Sequence, residues 1–380
     1  MHAFISVAVL AAIIPALSAP TSNVPINKFA GQVKANSYII KLKDGVSKDA
    51  HLSALISKFT AGSSLQYKYG DVFHGYAVTL KGKDLDFVRL SKDIEYIEED
   101  GIATIDYFPG DASEVAERAV PEAEALNTRA TGGAGVDVYG IDTGIYTAHN
   151  CFGGRARWGA TYGGYANADG NGHGTHTAGT AVGNTYGQAT SANIIAVKVL
   201  SDAGSGSYSD IISGVNYAYN SYRSSGRPSI STMSLGGPAD SSLDSAINNA
   251  INGGVHFTIA AGNSNVDASS TSPARVAAAI TVGAVDYNNA KASFSNYGSI
   301  VDIQAPGVNV LSAWIGSPSA TNTISGTSMA TPFVAGILAN AISQYGSKSP
   351  AQLAADLRSH ARAVATGEPS GTTNLLATKW

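Results

Sequence analysis

Past residue 135 the chain alternates between short, nearly continuous apolar runs and longer segments whose apolar residues return every three or four positions. Residues 136–141, 194–200, 229–235, 255–260 and 279–285 have the first pattern and predict buried strands; 210–222, 242–252 and 333–345 have the second and predict helices. Apolar strands separated by helices predict an α/β domain, a parallel sheet with helices on both faces. A ligand site in such a sheet lies beyond the carboxyl ends of its strands. Upstream, 37–42 and 75–80 read as strands and 51–59 and 85–90 have helical spacing, which predicts a small α+β domain.

Charge separates the two regions. Residues 20–107 carry 11 basic and 11 acidic side chains, against 13 and 17 spread over 108–380. Ten lysines fall in the first region and only Lys198, Lys291, Lys348 and Lys379 in the second. A polar connector with Pro and Gly punctuation, starting at Phe108-Pro109-Gly110-Asp111 and running to Gly135, marks the seam. Before Lys28 there is no charged residue, and 3–17 is almost wholly apolar, broken at Pro15 and followed by Ser18 and Ala19. This predicts a secretory signal peptide over 1–19; the alternative, a membrane anchor, needs a longer apolar run. The expected divisions are therefore 1–19, 20–107 and 108–380, in a secreted protein with no membrane span.

Composition narrows the chemistry. With 44% apolar and 14% charged residues over 380 positions, the chain is neither disordered nor a coiled coil. A net charge of -4 leaves no basic field for nucleic acid. Cys151 is the single cysteine, which excludes an internal disulfide and a cysteine-based metal site.

Three motifs sit where strands end or helices begin. Asp142 closes the strand at 136–141, where an Asp is also an ordinary turn or N-cap residue. His173 lies in Asp169-Gly170-Asn171-Gly172-His173-Gly174-Thr175-His176, whose two histidines are a general base and a structural partner, or a metal-holding pair. Ser328 lies in Ser325-Gly326-Thr327-Ser328-Met329-Ala330-Thr331-Pro332, just before the helical run at 333–345. A Ser there is an N-cap, or a nucleophile whose oxyanion meets the backbone N–H groups and positive end of the helix. Asn263, after the strand at 255–260, offers a further amide donor. Together an Asp, a base and a Ser on separate rigid elements supply what acyl transfer needs.

In chain order Asp142, His173, Ser328, the motifs resemble the Asp, His and Ser signatures of the subtilisin-like serine peptidases, and Asp-Gly-Asn-Gly-His-Gly-Thr-His with Gly-Thr-Ser-Met-Ala-Thr-Pro resembles the proteinase K branch, especially its secreted fungal members. Residues 37–100, ending in Tyr96-Ile97-Glu98-Glu99-Asp100, resemble the family's inhibitor-type propeptide, and about 136–376 resembles its catalytic domain. The resemblance implies a subtilisin-like fold and a secreted, monomeric endopeptidase of broad specificity with apolar or aromatic P1 preference. It also implies a protein matured by removal of its own propeptide, which acts as an intramolecular inhibitor. Asp142 would orient His173, His173 would take the Ser328 proton, and Asn263 with the Ser328 N–H would bind the oxyanion. Gly204-Ser205-Gly206 and Ser234-Leu235-Gly236 resemble the two edge segments that pair with an extended substrate, with surface loops as the other reading. Ala260 to Gly262 would wall a roomy apolar P1 pocket.

The resemblance implies structural calcium as well, with Asp286 and the carbonyls of Ala277 and Ala279 as ligands, and no catalytic metal. Asp286 is otherwise a surface-turn residue. Several positions depart from the family: no Trp-Gly-Leu-like mature opening occurs in 108–130, Asp137 and Thr177 stand where Cys is common, and Phe333 replaces a usual His. The maturation point is accordingly placed only near Tyr107. Cys151, with His149 two residues away, is a rival nucleophile or an inert buried thiol. Two other functions are a silent binding protein on the same fold and a peptidase inhibitor acting through 20–107.

Overall fold

The computed structural model describes residues 23–111 and 132–380. The signal peptide expected over 1–19 and most of the connector lie outside the described residues.

The large sheet has nine strands, running from one edge in the order Arg362–Ala363, Leu375–Leu376, Ile303–Pro306, Ile280–Val285, His256–Ala260, Ser229–Met233, Asp137–Asp142, Asn193–Lys198 and Ala156–Thr161. All neighbouring pairs are parallel except the first. Ile230, Val282 and Ile303 face the helices His173–Val182 and Thr327–Tyr345 in one apolar core. Tyr139, Ile195 and Phe257 face Tyr208–Ser225 and Ser241–Asn252 in another. Both faces are covered, as the continuous apolar runs required. Among the described residues no helix is long and apolar enough to cross a membrane.

The N-terminal domain is a sheet of Ile26–Asn27, Ile94–Thr104, Val33–Leu42, Gly75–Thr79 and Ser64–Lys68, in that order, with helices Lys48–Ile56 and Lys83–Arg89. Alternation along Val33–Leu42 sends Ile40 into this domain's own core with Leu52, Leu55 and Val88, and Ile39 into the core shared with the large domain. The two domains thus bury a common apolar face.

Strand Ile94–Thr104 escaped the sequence reading because four of its residues are acidic, a composition that strands usually avoid. Tertiary contacts explain two of them. Glu98 accepts hydrogen bonds from Ser241 N (3.3 Å), Ser242 N (3.1 Å) and Ser242 Oγ (2.6 Å), so it caps the helix Ser241–Asn252 of the other domain. Two residues on, Asp100 accepts from Ser209 N (2.9 Å), Ser209 Oγ (2.7 Å) and Ser37 Oγ (2.7 Å) at the start of Tyr208–Ser225. Each carboxylate meets unpaired N–H groups and the positive end of a helix dipole.

The first of these helix ends is crowded. Asp240, its own N-cap, is fully buried; Oδ1 accepts from Leu243 N at 2.7 Å, while Oδ2 has no partner among the described residues. Burial, reinforced by the charge of Glu98, holds the Asp240 carboxyl well above the usual carboxylate range. Asp244 and Asp100 add to the repulsion, the phenols Tyr69, Tyr96 and Tyr208 face the same cluster, and Arg275 pairs with Asp244. A protonated Asp240 favours the docked state, so stability is complete below the ordinary carboxylate range and falls as pH climbs toward the raised value, by at most about 1.4 kcal/mol per pH unit for one proton. Asp240→Asn keeps a good N-cap and removes the proton. In a Ser328→Ala background, its thermal midpoint should decline less steeply between mildly acidic and alkaline pH than that of the parent. Parallel profiles would mean that Asp240 is ionised in the docked protein.

Candidate active site

Asp142 ends a central strand, and its Oδ1 is fixed by Thr143 N at 2.7 Å. His173 opens the helix His173–Val182 with Nδ1 at 2.8 and 3.0 Å from Asp142 Oδ1 and Oδ2. Only glycine lets this helix lie so close to the strand end: a Cβ on Gly174 would sit 2.1 Å from the carbonyl oxygen of Gly144. A carboxylate only accepts, so Nδ1 carries a proton, and in the neutral imidazole Nε2 is the nitrogen that keeps its lone pair. That Nε2 is buried and has no partner among the described residues. His173 is therefore held as a base with an unused acceptor.

Ser328 is the second residue of Thr327–Tyr345, a helix that begins six positions before the sequence-predicted start at 333 because Pro332 obscured its first turn. Proline has no N–H, so the Ser328 carbonyl four residues earlier lacks its helical donor. Ser234 Oγ supplies one, at 2.9 Å. The Ser328 hydroxyl is buried and donates over 3.5 Å to the carbonyl of Ser234.

Asn263 is oriented by its oxygen. Oδ1 accepts from both Thr327 N and Thr327 Oγ1 at 2.8 Å, which turns Nδ2 outward toward the cleft. There Nδ2 donates to the carbonyl oxygen of Asp106 at 2.6 Å. The N–H of Ser328, near the start of the same helix, belongs to the first turn and has no intrahelical partner.

The segment that brings Asp106 to this donor crosses the whole cleft. Ile102, Ala103 and Thr104 pair antiparallel with Ser207, Gly206 and Ser205, and Ile105 N donates to Gly204 O at 3.0 Å. On its other side Thr104 exchanges two 3.0 Å bonds with Gly236. The two segments named from sequence, 204–206 and 234–236, thus flank one extended chain as outer strands. Leu235, Ala260 and Ala261 are buried behind it. Gly262, at φ +102, leaves no room for a Cβ against Asn296 Nδ2. Beyond Asp106, Tyr107 stacks on His173 (5.5 Å between centroids) and meets Trp314 edge-on, and Phe108 packs on Phe294 at 5.0 Å.

Sequence reading missed three supports. Asp169 binds Thr143 Oγ1, Thr175 Oγ1 and three backbone N–H groups, fixing the loop before His173. Lys198 is buried, with Nζ on Thr143 O (2.6 Å) and Asp202 Oδ1 (2.9 Å), and so anchors the turn that follows Asp142. Thr327 was visible only as part of a motif. Asp169 was visible in the same way, most of its bonds lying within its own loop, while Lys198 has no signal until distant segments meet.

The alternatives resolve by geometry. His176 Nε2 donates to the carbonyls of Val310 and Asn322, and burial pushes its imidazole down to about 3, so it stays neutral as a structural residue; the two histidines do not converge on a metal. Cys151 is buried in the short turn Asn150–Phe152, and desolvation pushes its thiol up to about 12, which leaves it an inert thiol.

The calcium ligands inferred by resemblance do not converge. Ala277 and Ala279 precede the strand Ile280–Val285 and Asp286 follows it, which sets Ala279 and Asp286 roughly 20 Å apart. Asp286 Oδ1 instead accepts from Asn288 N (2.8 Å) and Ala290 N (2.9 Å), the turn-capping role that the residue type also allowed. The carboxylate that does reach this strand start is Asp302. Its Oδ2 accepts from Thr281 N and its Oδ1 from Arg358 Nη1, both at 2.9 Å, so N–H donors already hold it. Asp286, Ala277 and Ala279 therefore do not fit one ion.

Comparison with known proteins agrees with this arrangement. Residues 133–375 match the Subtilase family of peptidases and residues 37–106 match Peptidase inhibitor I9. The chain is 42% identical over 367 residues to Subtilisin-like protease 2 of Pseudogymnoascus destructans, covering 92% of this chain and 90% of that protein. It is 44% identical over 321 residues to Proteinase R of Parengyodontium album (83% and 81% covered) and 41% over 360 residues to the Cuticle-degrading protease of Metarhizium anisopliae (92% and 90%). Among solved structures, a cold adapted subtilisin-like serine proteinase aligns with TM-score 0.62 at 45% identity, over 66% of this chain and 90% of the other. An Asp, a His and a Ser brought to the carboxyl edge of a parallel sheet, with an inhibitor domain's tail across them, agree with these matches: the chain belongs to the subtilase family of serine endopeptidases and carries an I9-type propeptide.

Proposed function

We propose that this chain is the precursor of a secreted endopeptidase that cuts its own Asp106–Tyr107 bond. The observation that carries the reading is the 2.6 Å contact between Asn263 Nδ2 and the carbonyl oxygen of Asp106, in a segment paired on both sides like a substrate strand. In this reading the Ser328 hydroxyl turns from Ser234 O to His173 Nε2, gives up its proton and attacks the Asp106 carbonyl carbon. Negative charge grows on the oxygen that Asn263 Nδ2 and the Ser328 N–H hold. His173, protonated and steadied by Asp142, then returns the proton to the departing nitrogen of Tyr107. Water repeats the sequence on the acyl-enzyme and frees the Asp106 carboxylate. Ile102 to Asp106 remain as a product strand between 204–207 and Gly236, so the cleaved propeptide keeps the cleft occupied until it leaves or is degraded.

The bond lies one residue before the boundary read from sequence. It also places an acidic residue at P1, whereas the small residues Ala260 and Gly262 favour apolar or aromatic side chains in other substrates. Intramolecular presentation reconciles the two, because a tethered segment reacts at a very high effective concentration even with an unfavourable side chain. Burial also raises the Asp106 carboxyl above its ordinary range, which makes a neutral form easier to reach in the cleft. Asp106→Leu should speed self-cleavage about 10-fold or more, and cleaved peptides should favour P1 Leu, Phe or Tyr over Asp or Lys by about 10- to 100-fold in kcat/KM. Quenched peptides differing only at P1, with the processing rate of the variant, measure both. Equal or faster turnover of P1 Asp peptides would remove the apolar specificity.

A further inference from the structure

The geometry points to a binding strand on the leaving side of the cleft that continues to the fifth residue after the scissile bond and ends at Asn309. This rests on the reading of Asp106–Tyr107 as the bond that is cut. Phe108 and Pro109 pair antiparallel with Ser325 and Ile324, in the strand that leads into the Ser328 helix. The ladder does not stop there. Gly110 N donates to Thr323 O at 3.0 Å, and Asp111 N donates to Asn309 Oδ1 at 2.9 Å. Counted from the bond, these are the backbone amides of P4′ and P5′.

Asn309 is built for this position. It holds a left-handed backbone at φ 53, a conformation that few residues other than Gly and Asn adopt readily. Its own N–H donates to Ser325 Oγ at 2.8 Å, which ties it to the end of the same strand. The side-chain oxygen is thereby aimed along the line of the ladder, where it takes the next backbone donor in place of a strand residue. Since Thr323 O and Asn309 Oδ1 both accept from main-chain N–H groups, this part of the cleft reads chain extension and length. Its substrates are unfolded or loop segments extending at least five residues past the cut, and short peptides are handled poorly.

The test uses the processed enzyme and quenched peptides with one common P4–P1 sequence and leaving sides of two to six residues. Each of the P4′ and P5′ additions should raise kcat/KM about fivefold, the worth of a typical net hydrogen bond. The ratio of six-residue to two-residue leaving sides should fall about fivefold in Asn309→Gly, which keeps the backbone conformation and removes the acceptor. Asn309→Asp, which restores an acceptor, should recover it, with the change carried mainly by KM. Efficiency that stays level beyond P3′, or an unchanged ratio in Asn309→Gly, overturns the site. Sequencing the processed N-terminus tests the parent reading separately: a cut elsewhere than before Tyr107 removes the register, while a cut before Tyr107 with a flat length series removes only the Asn309 site.

Discussion

Ser328→Ala should leave the purified chain intact, with the propeptide still joined, and lower turnover of added peptides by about a million-fold, the size of loss that removal of the corresponding serine causes in subtilisin. The hydroxyl is small and buried at the start of a helix whose Ser328 carbonyl is held by Ser234, so losing one oxygen disturbs little else. The variant should therefore fold and dock its propeptide as the parent does. Gel mass after prolonged incubation and a peptide assay at high enzyme concentration decide the matter. Processing at the parental rate would show that another group attacks, and Cys151, with its thiol pushed up to about 12, is poorly suited to replace it.

Asn263→Ala should reduce turnover about 100- to 1,000-fold with little change in KM, the range known for the equivalent amide donor in subtilisin. The effect belongs to the transition state: Nδ2 is fixed before reaction, because Oδ1 is held by Thr327 N and Oγ1, and it reaches full strength only as charge develops on the carbonyl oxygen. Removing it should also slow the first cut of the chain by a similar factor, since the Asp106 carbonyl sits on the same donor. A variant that raised KM alone would assign Asn263 to substrate binding in the ground state.

Much of this site could be read from the chain because its residues stand at strand or helix boundaries inside compact motifs. Asp142 ends a strand that is buried on both faces, and His173 and Ser328 stand among the glycines and small residues that close packing demands. Elements whose sequence answers to a distant partner were harder to see. The acids of Ile94–Thr104 look unlike a strand until the helix ends that they cap are brought opposite them. Pro332 hides the first turn of the Ser328 helix, because its missing N–H is compensated by Ser234, 94 residues away in the chain. Resemblance misled for Asp286, because the strand that separates it from Ala277 and Ala279, itself legible in the sequence, carries it to the far end, where it caps its own turn. The leaving-side contacts of Trp314, Phe294 and Asn309 have no local signature, as they exist only around an extended chain in the cleft.

The most direct measurement is the N-terminal sequence of the earliest large fragment formed when the purified precursor is allowed to process alone. Cleavage by Ser328 of the carbonyl held on Asn263 predicts a fragment beginning Tyr107-Phe108-Pro109-Gly110-Asp111, with its partner ending at Asp106. A first fragment beginning anywhere within 112–131, or one that forms equally from Ser328→Ala, would contradict self-cleavage at the bond that the propeptide presents to this site.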